Sequence, residues 1–163
     1  VFICAPSCHP SSRTCPEMRP RLVLDTNTVL ALWMFHDPRL CILRDWIEAG
    51  ACTLSTRADA LHELQLVLAY RQFALDTLTQ QRVLQDYRAR VEISAADVVP
   101  DTRALPLCRD ADDQKFLEIA FDTGASSLLT RDKALLRLGR HRLLRERFAI
   151  LSPEHFVNQL PTL

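Results

Sequence analysis

Four short apolar runs constrain the chain most: RLVL (21–24), CTLS (52–55), SLLT (127–130) and FAIL (148–151). Each suits one buried strand and is too short for a helix of ordinary length. The stretches between them carry apolar residues at helical spacing. NTVLALWMF follows the first run, and DPRLCILRDWIEAG gives a second helix, with Pro38 near its start and Gly50 after its end. A helix with Leu61, Leu64 and Leu68 on one face runs from Thr56 to about Phe73. TLTQQRVLQDYRARVE gives another, VVP (98–100) reads as a strand remnant, and RDKALLRLG is a short helix. SPEHFVNQL closes the chain, with Ser152 as N-cap and Pro153 at the first helical position. Strands alternating with helices predict an α/β/α sandwich around a short, mostly parallel central sheet.

The 163 residues suffice for one domain. Residues 1–20 carry four prolines and several serines without a period, and read as a loose extension of a domain over 21–163. Cys4, Cys8, His9 and Cys15 lack the paired spacing of a zinc site. Cys41, Cys52 and Cys108 stand singly among apolar residues, as reduced core or near-core thiols do. The opening VFICAP lacks a basic flank, and no apolar run approaches the roughly 20 residues that cross a bilayer. A cytoplasmic protein without a membrane partner is the expectation. Basic and acidic residues balance at 20 each, so bulk charge gives no argument for tight nucleic-acid binding. Arginines do gather at Arg137, Arg140, Arg142, Arg145 and Arg147, as a solvated helix face or a phosphate-contacting rim.

In open α/β sheets, ligands bind beyond the carboxyl ends of the strands. Asp25 closes RLVLD, and Asp132 lies just past SLLT. Asp113 starts the helix that feeds SLLT. A helix runs opposite to the strand it precedes, so its N-terminus lies at that same edge. Glu63 lies about two turns into the helix after CTLS, still near the edge. Taken singly, each is an ordinary helix cap, turn residue or solvated acid. Four carboxylates converging on one edge repel unless a cation neutralises them. Mg²⁺ or Mn²⁺ suits such all-oxygen surroundings, and a carboxylate-bound ion supports phosphoryl chemistry. With three glycines in the chain, neither a dinucleotide nor a P-loop phosphate cradle occurs.

LDTNTVL (24–30), LHELQLVL (61–68), CRDADDQKFLEIAFDTGASSLLTRDKALLRLG (108–139) and ILSP (150–153) resemble the PIN domain. The likeness is greatest to the branch of toxin components related to VapC, and it covers about residues 21 to 160. It implies a metal-dependent ribonuclease of α/β/α sandwich fold. Asp25, Glu63, Asp113 and Asp132 match the family's acids and would be the catalytic and metal-holding residues. Asp110 is a further acid at the rim. Asn27 and Thr130 match positions that orient the carboxylates. Arg131, where many relatives have glycine, either reaches a phosphate or is simply surface. Implied partners are single-stranded RNA as substrate, an antitoxin protein and a second copy in a homodimer.

Two alternatives stay open at this point. A PIN-like domain can lose cleavage and persist as an RNA- or partner-binding module. LDTNT also half-matches the D-x-D-x-T opening of haloacid-dehalogenase-type phosphatases, with Asn27 in place of the second aspartate and no later lysine signature. Phosphorylation of Asp25 would identify that class.

Overall fold

The computed structural model describes residues 19–95 and 105–160. The zinc reading of Cys4, Cys8, His9 and Cys15, nearly all of the extension, and VVP therefore lie outside the described residues. Strand β1 (Arg21–Leu24) stands at the centre of a five-stranded sheet, with β2 (Thr53–Arg57) and β3 (Val91–Ser94) on one side. On its other side lie β4 (Ser127–Leu129) and β5 (Ala149–Leu151). The order β3-β2-β1-β4-β5 is parallel throughout the described sheet.

Uninterrupted apolar runs are what a sheet covered on both faces requires. Side chains alternate between faces along a strand. Leu22 and Leu24 accordingly join one core, together with Leu54, while Val23 joins the other, with Leu128 and Ile150. The first core is closed by helices α2 (Cys41–Glu48), α3 (Ala58–Leu68), α4 (Thr77–Arg88) and α7 (Pro153–Val157). Leu61, Leu64 and Leu68 form the buried stripe of α3, as their spacing predicts. The second core is closed by α5 (Gln114–Asp122) and α6 (Lys133–Leu138), through Phe116, Leu117, Ile119 and Leu135. Helix α1 (Thr26–Val29) leaves β1 at once and widens into a π-helical turn over Leu30–Met34, which seats Leu32 and Trp33 in the first core.

Several boundaries differ from the sequence reading. The second strand continues through Thr56 and Arg57, so its helix starts at Ala58; it ends at Leu68, before a 3₁₀ turn at Arg71–Phe73. Residues 91 and 92, read as the end of a helix, belong to β3, which pairs Val91 with Leu54 and Ile93 with Thr56. VEIS does alternate apolar and polar residues, but over four positions tertiary pairing outweighs any local signal. Cys41 is exposed on α2 rather than near the core, while Cys52 and Cys108 are half-buried. Gly50 takes the left-handed backbone, φ 71°, that terminates α2.

From β1 the chain steps one way to β2 and β3, and from β1 to β4 and β5 the other way. The reversal opens a crevice beyond the carboxyl ends of β1 and β4.

Candidate active site

Asp25 is the first residue after β1 and caps α1. Its Oδ1 accepts from the Thr28 amide at 2.7 Å and its Oδ2 from the Thr130 hydroxyl at 2.6 Å. It is only 4% exposed. Burial pushes its carboxyl above the ordinary value, against the lowering pull of the Thr130 and Thr28 bonds. The Asp25 amide donates to the Leu129 carbonyl at 3.1 Å, fastening the end of β1 to the end of β4. Thr130, fully buried, also accepts from the Asp132 amide at 2.9 Å. One hydroxyl thus joins two of the four acids.

Asp132 caps α6. Its Oδ1 accepts from the amides of Ala134 and Leu135 at 2.7 and 2.9 Å, as an N-cap side chain does. Asp113 occupies the corresponding position before α5 but makes no capping bond with its side chain. Its carboxyl is pushed up to about 6, first by burial and then by the charges of Asp132, Asp110, Asp25 and Glu63. The charges of the other four marked acids therefore all bear on Asp113. Glu63, on α3, accepts from the Thr26 hydroxyl at 2.6 Å through Oε1 and pairs with the Lys115 ammonium through Oε2.

Asp110 and Asp113 form a wall shared by two clefts of about 480 Å³ each. The first also has Asp132 on its lining, with Arg109, Lys133 and Arg137. The second runs along α3 past Glu63 to Tyr70. The arginine group does not form one helix face, because α6 ends at Leu138. Arg137 lines the first cleft, whereas Arg147 lies over the Phe121 ring at 4.6 Å. Arg131 bonds Glu154 at 2.6 and 2.9 Å and Asp37 at 2.7 Å, so it ties the end of β4 to the start of α7 and to the Asp37 turn.

Asn27 is exposed on α1, and the bonds to the acids come instead from its neighbours Thr26 and Thr28. Those threonines and Lys115 were not singled out from the sequence. A hydroxyl or amide within three residues of a capping aspartate could have marked Thr28, and a lysine two residues past Asp113 could have marked Lys115. Pairing of Thr26 and Lys115 with Glu63 is long-range and has no local signature.

Among the described residues, no three His, Cys, Asp or Glu side chains stand together as a ready metal cage. Both Asp25 oxygens, both Glu63 oxygens and Oδ1 of Asp132 have protein partners. The donor set nevertheless fits a hard divalent ion. It is all oxygen, each carboxylate oxygen has a second lone pair, and the mutual repulsion at Asp113 is what a cation relieves.

A comparison with curated proteins finds no match. Among solved structures, PAE2754 from Pyrobaculum aerophilum superposes with a TM-score of 0.54 at 16% identity, over 87% of this chain and 96% of that one. VapBC2 from Rickettsia felis, crystallised with a DNA fragment from its promoter, gives 0.53 at 16% identity, over 80% of this chain and 96% of that one. At such identity the likeness is one of fold. The PIN domain model matches residues 21–134, which span α1 through α5 and all four carboxylates. With the five-stranded parallel sheet and its flanking helices in agreement with that match, the chain belongs to the PIN domain family.

Proposed function

We propose that the protein is a Mg²⁺- or Mn²⁺-dependent endoribonuclease that cleaves single-stranded RNA, and that it serves as the toxin of a toxin–antitoxin pair. PIN domains are in general nucleases that use a divalent metal. The observation that carries the reading is the first cleft, whose lining combines Asp110, Asp113 and Asp132 with Arg109, Lys133 and Arg137. Carboxylates to hold a cation and guanidinium or ammonium groups to hold phosphates are the two halves of a phosphodiester site.

Asp25, Asp113 and Asp132 would hold the metal, with Glu63 completing the site directly or through water. A divalent ion there supplies Lewis acidity and a nucleophilic water near neutral pH. Thr130 keeps Asp25 and Asp132 in register, and Thr26 orients Glu63. Arg109, Lys133 and Arg137 bind the RNA backbone. Asp25 and Thr28 are both buried, and the Thr28 amide fixes one oxygen of the Asp25 carboxylate. The likeness to VapBC2 supports an antitoxin partner for this chain; a homodimer is part of the same proposal.

The test is cleavage of a pooled single-stranded RNA library in Mn²⁺, with wild type, Asp25→Asn and a chelator control. Cleavage that needs both the metal and Asp25 supports the reading. Mn²⁺ binding by calorimetry with no cleavage of the pool would instead favour an RNA- or partner-binding module.

A further inference from the structure

The second cleft changes character along its length. Its upper end is acidic, with Glu63, Asp110 and Asp113. Just under one helical turn on, α3 presents Leu66 to it, and the turn after α3 presents Tyr70; these are 53% and 51% exposed. At a rise of about 1.5 Å per residue, Tyr70 lies roughly 10 Å from Glu63 along the helix direction. The Tyr70 ring is held in place. It stacks on Phe73 at 6.5 Å with 14° between planes, and Phe73 in turn meets the edge of Phe35 at 5.8 Å. Large apolar side chains left in solvent beside a polar site mark a contact surface.

We propose that Tyr70, backed by Phe73 and flanked by Leu66, is a nucleobase-stacking subsite for a nucleotide next to the scissile phosphate. The proposal rests on the nuclease reading above. A nucleotide is itself two-ended, with an anionic phosphate and a flat apolar base. The cleft offers a matching pair of ends: cation-holding carboxylates above, and a fixed aromatic face below. The pre-stacked ring costs little further ordering on binding, and stacking tolerates any base, which suits a single strand. Unpaired bases can reach such a face, whereas the stacked bases of a duplex cannot. The subsite therefore selects single-stranded substrate.

The measurement is fluorescence anisotropy of a randomised single-stranded RNA decamer and of an abasic ribose-phosphate decamer, in Ca²⁺, with wild type, Tyr70→Ala and Tyr70→Phe. Base stacking on an aromatic side chain is worth about 1–3 kcal/mol, or roughly five- to 150-fold in affinity. Wild type should favour the base-bearing strand by about tenfold, Tyr70→Phe should keep that preference, and Tyr70→Ala should lose it. Unchanged melting of Tyr70→Ala confirms that the fold is intact. The proposal is overturned if wild type binds both strands equally or if Tyr70→Ala keeps the preference. It is also overturned if Tyr70→Ala changes only the sedimentation of the protein, which would make the patch a protein interface. A base preference that depends on Tyr70 in a protein that cleaves no RNA would leave the subsite standing and remove the nuclease reading alone.

Discussion

Asp113→Asn should make the metal-free protein more stable while it abolishes cleavage. The carboxyl of Asp113 is raised from 3.8 to about 6 by burial and by four neighbouring carboxylates. A carboxyl whose value is higher in the folded state holds its proton more tightly there. Below about pH 3.8 it is protonated in both states and costs nothing. Between about pH 4 and 6 the unfolded chain ionises first, and above 6 the folded state carries the whole penalty. Each tenfold in proton affinity is about 1.4 kcal/mol, so the ceiling is about 3 kcal/mol. The side chain is partly open to solvent, and screening leaves roughly 1 kcal/mol. For a domain of this size that is a rise of about 3 °C in the melting midpoint. Calorimetric melting of wild type and Asp113→Asn in chelator at pH 4 and pH 7.5 reads the difference. The two proteins should melt nearly together at pH 4 and separate by about 3 °C at pH 7.5, with the variant higher. A variant that melts lower at pH 7.5, or a gap independent of pH, refutes the electrostatic account of the site.

Lys115→Gln removes the ammonium paired with Glu63; the Lys115 side chain is only 15% exposed. Mn²⁺ no longer competes with that ammonium, so calorimetry should show binding about tenfold tighter than wild type; equal or weaker binding would deny the competition. Thr130→Val strips the buried hydroxyl that serves Asp25 and the Asp132 amide. A loss of roughly 2 kcal/mol in urea unfolding, with unchanged m and with Thr130→Ser near wild type, is expected. Arg131→Met breaks the tie to Asp37 and Glu154 and should lower the melting midpoint by about 2 °C at pH 7. The Asp37 carboxyl is held below its ordinary value by Arg39 and then Arg131, and Glu154 lies below its own although burial opposes the bonds from its backbone and Arg131. The stabilisation is therefore present at neutral pH and fades as pH falls below about 4. Cleavage should stay within about twofold of wild type; a large fall in substrate affinity would give Arg131 a phosphate role after all.

The sequence by itself determined the layered α/β architecture and the edge of the sheet to which the four acids are brought. The reason is local: apolar runs four residues long, bounded by helical stretches, suit buried strands, and a strand followed by a returning helix places its last residue at the carboxyl edge. Asp25, Asp113 and Asp132 were legible because each stands at a strand end or helix start fixed by that alternation. Glu63 was legible only by approximate depth along its helix. The tertiary structure decided the rest. It added β3, whose four residues become a strand only by pairing with β2. It set β1 beside β4, which brought Thr130, 105 residues away in sequence, onto the Asp25 carboxylate. It gave Arg131 to Asp37 and Glu154, and Lys115 to Glu63. Periodicity reports which face of an element is buried, but the partner of a polar side chain depends on which strands become neighbours. That choice is made by burying apolar area over the whole sheet, and no short stretch of this chain contains it.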